Sequence, residues 1–425
     1  MLSKEDNEVL TRVGPGTLMG DLIRQYWIPV TLIEELAKPD APPMRMRLLG
    51  EDLILFRDSS GRVGLLEDHC SHRGASLFFG RNGENGLRCV YHGWKYDVEG
   101  NCVDMPNEPP ETSFAEKIHH RSYPCVEYGG MIWTYMGPRS KPPELPKLEW
   151  ALLPPERSSV SAEFIRECNW MQALEGDIDT SHLYFLHARL NPEGERAGGD
   201  GTYHEDRHPR LHIVDTPYGV VYGSERDEGP HDYYWRITQF LFPFHTFIPP
   251  GGREGLSGHI WVPLDDTHTM RWSVAWDPIA PLAQPARAAP GDFLPATSDP
   301  LSRWLRQENR DNDYMIDREV QRIKTFTGIP SIPLQDQAVT ESMGAITDRT
   351  HEHLGTSDGM IARVRRRLID SAKALRDDGV TPPGVDDPDV WAVRSASIIL
   401  PRTVDWREGT REHLKAFTEL AVATV

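Results

Sequence analysis

The apolar positions of the N-terminal third alternate in short runs broken by turn residues. Residues 44–68 read as a strand pair: MRMRLLGEDLILF as one strand, a turn at Asp58-Ser59-Ser60-Gly61, then RVGLLED. A second pair, Cys125–Tyr128 and Met131–Tyr135, flanks Gly129-Gly130, and Asp97–Asn101 supplies a further turn through Gly100. This part reads as a small all-β unit. Between Gly137 and Glu156 periodicity fades and six prolines appear, as expected of a crossing between domains. Beyond it the pattern predicts a helical stretch near 169–189 and a Gly-rich loop near 191–201. Strands follow, broken at Thr216-Pro217-Tyr218-Gly219 and Asp265-Asp266. After a Pro/Ala-rich segment at 278–300, helical patterns cover 301–327, 335–350 and 357–377. In the last, Ile361, Val364, Leu368, Ile369, Ala372 and Leu375 form one stripe. The order predicts an α+β domain whose helices lie on an antiparallel sheet, and no internal repeat is visible.

Composition narrows the class. The chain has 425 residues, 39% hydrophobic and 26% charged, enough for two domains with real cores and too ordinary for a disordered chain. Its 46 Lys and Arg against 64 Asp and Glu give a formal charge of −18 with no basic block, which disfavours nucleic-acid binding. The N-terminus lacks the layout of a signal peptide and no stretch is apolar for long enough to span a membrane, so the sequence predicts a cytoplasmic protein. Five cysteines (70, 89, 102, 125, 168) are too few and too scattered for a disulfide framework.

Two of those cysteines carry chemistry. Cys70-Ser71-His72 and Cys89-Val90-Tyr91-His92 are separated by sixteen residues, and Gly74 and Gly93 stand beside the ligand candidates. Each loop offers one thiolate and one imidazole. A structural zinc usually takes two cysteines from one loop, whereas a Rieske [2Fe–2S] cluster takes Cys,Cys on one iron and His,His on the other. The alternation fits the cluster better than a zinc ribbon or unrelated core residues. Nearby glycines let backbone N–H groups approach the sulfurs.

A second constellation lies in Asn169–His187. Asp179 and His182 are three apart and should share a helix face, whereas His182 and His187 are five apart, about 140° round an ideal helix. The helix must therefore loosen or end for both rings to reach one ion. Two imidazoles plus a carboxylate form the facial triad of non-haem Fe(II) oxygen chemistry. Read alone, such a pair is more often structural, and the acidic residues after 300 leave the carboxylate open.

The segments CSHRGASLFFG and RCVYHGWKYD resemble the Rieske domain of aromatic ring-hydroxylating oxygenases. Nearly the whole chain resembles the oxygenase component of the phthalate 4,5-dioxygenase and phenoxybenzoate dioxygenase group, through GTLMGDLIRQYWIPV, TPYG, YWRITQFLFPFHT and DRTHEHLGTSD. The resemblance implies a division into an N-terminal helical segment (1–40) packed on the catalytic domain, a Rieske domain (41–155) and a helix-grip, START-like catalytic domain (156–425). It implies cluster ligands Cys70, His72, Cys89 and His92, and iron ligands His182 and His187. The third iron ligand is implied to be Asp336, within Leu334–Met343. Asp179 matches the bridging aspartate that joins His182 to His92 of the partner subunit; the alternative for it is a helix cap. Asp177 and Glu175 are weaker supporting candidates, and Asn169 is placed near the iron. Asp311, Asp313 and Asp317 read as solvated or capping residues, Glu341 as structural or supporting, and Cys102, Cys125 and Cys168 as buried thiols.

The expected protein is thus a terminal oxygenase. Its cofactors are a Rieske cluster and a mononuclear Fe(II); its partners are an NAD(P)H-dependent reductase of flavin and ferredoxin type, O₂ and a small aromatic substrate. No dinucleotide fingerprint occurs in the chain itself. A homotrimer, or a hexamer of stacked trimers, is implied by the family. Arg207, Arg210 and Arg236 are the candidates to clamp a substrate carboxylate, against surface pairing as the plainer reading. Of Phe240, Phe242, Phe244 and Phe247, at least half are expected in the core. Alternatives are a monooxygenase or demethylase on the same scaffold, and a Rieske electron carrier joined to a ligand-binding domain.

Overall fold

The computed structural model describes residues 1–190, 206–250, 255–282 and 292–419. The Gly-rich loop expected at 191–201, and the middle of the Pro/Ala segment, lie outside them. In the N-terminal third, Met44–Leu48, Glu51–Arg57, Val63–Glu67 and Ser122–Tyr123 form a four-stranded antiparallel sheet. The run expected as a single strand is two. Leu49 and Gly50 have φ of 48° and 76°, and a two-residue turn with both φ positive matches the twist of the strands it joins. The hairpin Cys125–Tyr128 with Met131–Tyr135 turns at Gly129-Gly130 as expected, and Trp27–Leu32 adds to its edge. That strand escapes the pattern because Pro29 interrupts it and the register shifts between Pro29 and Thr31. Four short strands, Arg81–Asn82, Leu87–Arg88, Lys95–Tyr96 and Cys102–Asp104, make a third sheet.

The C-terminal part is an antiparallel sheet of eight strands among the described residues. Its order is Ser158–Arg166, Thr269–Trp276, Leu256–Pro263, His245–Ile248, Asp232–Leu241, Gly219–Glu228 and Arg210–Thr216. Ala396–Pro401 pairs with the first half of Asp232–Leu241, along the edge whose second half pairs with His245–Ile248. Helix Gly359–Asp378 buries Ile361, Val364, Leu368, Ile369 and Ala372 of the predicted stripe, with Leu375 partly buried, and ends at Gly379 with φ 66°. It packs on the strands Arg210–Thr216 and Gly219–Glu228, and on helices Lys4–Thr11 and Leu18–Ile23. One continuous core joins the N-terminal helices, the hairpin sheet and the large sheet, and all four of Phe240, Phe242, Phe244 and Phe247 lie in it. Among the described residues no helix is long and apolar enough to cross a membrane.

Three helical expectations change. The stretch at 169–189 is a helix only over Trp170–Glu175, followed by turns and a short 3₁₀ turn, His182–Tyr184. The pattern at 301–327 gives short turns and the helix Arg318–Ile323, because Asp313, Tyr314 and Met315 all adopt φ near +50° and break the helix. The third helix is Ile332–Ser342 rather than 335–350; Pro333 opens its first turn and Gly344, at φ 91°, stands past its end.

Candidate metal centres

The first centre is built from two loops of one shape. In the first, the Cys70 N–H donates to the Ala75 carbonyl and the Gly74 N–H to the Cys70 carbonyl; in the second, Cys89 donates to Trp94 and Gly93 to Cys89. Gly74 and Gly93 hold φ of 72° and 83°, where a Cβ is costly, and at Gly93 it would also meet Pro106 Cγ at 2.6 Å. Both cysteines are buried in a small separate core with Ile54, Leu66, Trp94 and Tyr96. The rings of His72 and His92 lie 4.4 Å apart, and His72 stacks on Trp94 at 4.6 Å. Burial, with the neighbouring Cys70, pushes the Cys89 thiol up. His72 Nδ1 is buried without a hydrogen-bond partner. Two adjacent buried sulfurs and an unbonded ring nitrogen are a donor set that fits a thiophilic metal group.

The second centre hangs from the helix Trp170–Glu175. Asn169 caps that helix and donates to the carbonyls of Thr11 and Asp266, so it anchors the helix start and does not reach the metal residues. Gln172 bonds Thr340, Gly344 and Thr347, tying this helix to Ile332–Ser342. Glu175 sits between Arg349 and Arg365, an ion cluster that ties the helix to Gly359–Asp378. Asp179 and His182 do not share a helix face. They meet in the turn after the helix has ended, with His182 Nδ1 3.6 Å from Asp179 Oδ2, while Asp179 Oδ1 accepts the Ser181 N–H at 2.7 Å.

His182, His187 and Asp336 converge. The two Nε2 atoms lie 3.2 Å apart, and Asp336 Oδ1 is 3.8 Å from His182 Nε2 and 3.3 Å from His187 Nε2. The outer nitrogens decide what the inner ones can do. His187 Nδ1 faces Gln335 Oε1 at 2.7 Å, and Gln335 Nε2 donates to Ile329 O, so Oε1 is an acceptor and Nδ1 carries the proton. His182 Nδ1 likewise faces a carboxylate. Both Nε2 atoms are then lone pairs aimed at one point beside an anionic oxygen, which a bound cation satisfies. Burial opposes the Asp336 charge, but the field of the neighbouring His187 and His182 rings and of buried Arg166 outweighs it, and its carboxyl lies below the usual range.

Three residues that sequence reasoning missed or undervalued support this loop. Asp177 Oδ2 accepts from Thr246 Oγ1, Trp261 Nε1 and His259 Nδ1 at 2.5, 2.6 and 2.8 Å, fixing the loop to three positions on the sheet. Arg226, fully buried on Gly219–Glu228, bonds Tyr184 Oη and both oxygens of Thr180. Gln335 adjoins Asp336, but nothing in its spacing announces a partner 148 positions away. Gln335→Leu, of similar volume, is expected to lower iron affinity about 10–100-fold. Iron content after dialysis against a chelator, with cluster absorbance as internal reference, checks this.

The remaining candidates separate. Arg210 lies on the surface in ion pairs with Glu225 and Asp227. Arg207 is exposed, 6.0 Å over the Phe185 ring. Arg236 is buried, with Nη1 3.4 Å from Tyr234 Oη, and its field reaches Tyr184. Glu341 is structural, accepting from the Glu167 N–H, Gln337 and Tyr314. Asp317 caps Arg318–Ile323, and Asp311 is exposed. Cys102 and Cys168 are buried and Cys125 half-buried.

Comparison with known proteins agrees with two centres. Residues 26–124 match the Rieske [2Fe-2S] domain and residues 134–423 match the family described as LigXa C-terminal domain like. The chain is 39% identical to a 3-chlorobenzoate-3,4-dioxygenase oxygenase subunit of Comamonas testosteroni, over 98% of this chain and 99% of that protein. It is 38% identical to a phthalate 4,5-dioxygenase oxygenase subunit of Pseudomonas putida, over 96% and 94%. The crystal structure of dicamba monooxygenase bound to 3,6-dichlorosalicylic acid shares the fold at TM-score 0.56 and 19% identity, covering 84% of this chain and 99% of that one.

Proposed function

We propose, from the premise that this chain belongs to the Rieske non-haem iron oxygenases, that it is the terminal oxygenase of a system hydroxylating an aromatic acid. The observation that carries the reading is the convergence of His182, His187 and Asp336 in a chain that also holds the paired Cys/His loops. When bound, the cluster supplies an electron and the mononuclear iron supplies open positions at which O₂ is activated. The chain's own residues do the rest. Cys70 and Cys89 hold one cluster iron, and His72 and His92 the other. His182, His187 and Asp336 hold the mononuclear iron; Gln335 and Asp179 keep the two imidazoles oriented with Nε2 inward.

Asp179 is only partly covered, its side chain 24% exposed, and it joins His182 to the partner subunit's His92 in a trimer or a hexamer of stacked trimers. Electrons come from a separate NAD(P)H-dependent reductase, and the protein works in the cytoplasm. The same reading divides the chain at 1–40, 41–155 and 156–425.

An anionic substrate beside a chain of charge −18 needs a local cation. Arg236 is the best placed of the three candidates. It is buried on the strand Asp232–Leu241, and its field reaches Tyr184 of the metal loop, whereas Arg207 and Arg210 are exposed. Turnover of an aromatic acid under ¹⁸O₂ tests the reading. A product with both label atoms on adjacent ring carbons supports dioxygenation. A single labelled oxygen with loss of an alkyl group moves the chain to monooxygenation, and no oxygen uptake with any aromatic acid overturns the substrate class.

A further inference from the structure

A buried histidine outside both ligand sets reaches the cluster loops from behind. His120 is 1% exposed, and its backbone is fixed by a hydrogen bond to Gly100 O at 2.7 Å. Gly100, at φ 86°, leaves no room for a Cβ, which would lie 2.1 Å from the His120 carbonyl. The ring's Nε2 lies 2.8 Å from the Glu67 carbonyl oxygen, which can only accept, so the ring carries its proton there. Burial holds the imidazole pKa below the usual value, so the ring stays neutral. Nδ1 is therefore a lone pair, and at 2.7 Å it accepts the hydroxyl hydrogen of Ser71, the residue between Cys70 and His72.

The ring also lies against Tyr96, with centroids 4.7 Å apart and a 32° tilt, and the Tyr96 hydroxyl is 3.2 Å from Cys70 Sγ. A ligating cysteine is a thiolate and can only accept, so Tyr96 donates. Ser71 has one hydroxyl hydrogen, and it is turned to His120. One imidazole thus holds both the residue between two ligands and the phenol that reaches one of their sulfurs.

We propose that His120 is a positioning residue that sets the reduction potential of the cluster, by fixing Ser71 and aligning Tyr96 on Cys70. The inference rests on Cys70 and His72 being cluster ligands. Reduction adds negative charge to the cluster, and a donor aligned on a ligand sulfur stabilises that charge. Loosening the donor lowers the potential.

The test is a mediated redox titration of the purified, cluster-loaded full chain, followed by electron paramagnetic resonance. His120→Phe keeps the bulk of the ring but removes both hydrogen bonds, to Glu67 O and Ser71, that fix its plane against Tyr96. It should shift the reduced-to-oxidised ratio at fixed potential at least tenfold toward oxidised, about 59 mV for one electron, with altered g-values. Ser71→Ala should move it the same way by less. In a Tyr96→Phe background His120→Phe should add no more than Ser71→Ala does alone, since the rest of its effect acts through the Tyr96 bond; full additivity overturns the route through Tyr96. Unchanged potential and g-values in His120→Phe overturn the proposal, and if that variant does not fold, unchanged values in Ser71→Ala do so. A reduced unmodified protein without a Rieske-type signal would instead overturn the ligand reading beneath it.

Discussion

Replacing His187 with alanine is expected to abolish turnover and remove the mononuclear iron while leaving the visible spectrum of the cluster intact. Its Nε2 is one of three donors at the second centre, 3.2 Å from His182 Nε2 and 3.3 Å from Asp336 Oδ1. Without it two donors remain, too few to hold a hard divalent ion against water and chelators. Losing a mere supporting partner costs roughly 10–100-fold in affinity or activity, so losing a ligand should cost more, and activity should fall by well over 100-fold. The substitution also leaves Gln335 Oε1 without the imidazole it accepts from, at about 1–3 kcal/mol for an unsatisfied buried group. That cost stays local, because Gln335 keeps its bond to Ile329 O and its helix keeps Gln172. The cluster loops belong to a separate core. Iron should therefore fall from about three to about two per chain, on two irons per cluster. Iron analysis beside the visible spectrum reads both at once. Loss of cluster and activity together would count against two separate centres, and full activity would remove His187 from the ligand set.

The two centres were not equally legible. In the cluster loops, ligands lie two and three positions apart and a glycine follows each pair, so the whole geometry is written locally; the matching loop bonds of Cys70 with Gly74 and Cys89 with Gly93 need no distant partner. At the iron centre the histidines are close in sequence, but Asp336 arrives from a helix 149 residues beyond His187, and only resemblance to a family pointed to it. Asp177 and Arg226 are less legible still. Asp177 is defined by donors on two sheet strands, 69 to 84 positions away, and an isolated acidic or basic residue carries no period that reveals such a fit. The fold shows the same division. Helix Gly359–Asp378 has an uninterrupted apolar stripe and a glycine stop, both local signals. The edge strand Ser158–Arg166 is half-exposed and rich in serine, and Ala396–Pro401 exists because it pairs with Asp232–Leu241; pairing partners, not propensity, make both strands.

Asp179→Asn is expected to keep both metals and to slow electron delivery between them. In this chain Asp179 Oδ1 accepts the Ser181 N–H at 2.7 Å while Oδ2 faces His182 Nδ1 at 3.6 Å. Burial works against its charge, but the nearby His182 ring and the hydrogen bond of the turn prevail, and its carboxyl lies below the usual range. It is therefore an anion at neutral pH, able to accept N–H groups on both edges. Asparagine matches its size, and its oxygen can still accept the Ser181 N–H, so the turn should survive. Its amide then presents N–H groups to His182, where the aspartate presented a lone pair. Such an amide cannot bind the N–H groups of two imidazoles at once, and the proposed link from His182 to the partner subunit's His92 would be lost on at least one side. A fall of about 10–100-fold in the rate at which a pre-reduced cluster is reoxidised by O₂ and substrate is expected. Iron content and the cluster midpoint potential should change little, and Asp179→Ala, which also frees the Ser181 N–H, should lose mononuclear iron as well. Single-turnover absorbance at the cluster band measures the rate, and sedimentation confirms that the assembly is kept. An unchanged rate in an intact assembly would return Asp179 to the role of a turn residue that merely steadies His182.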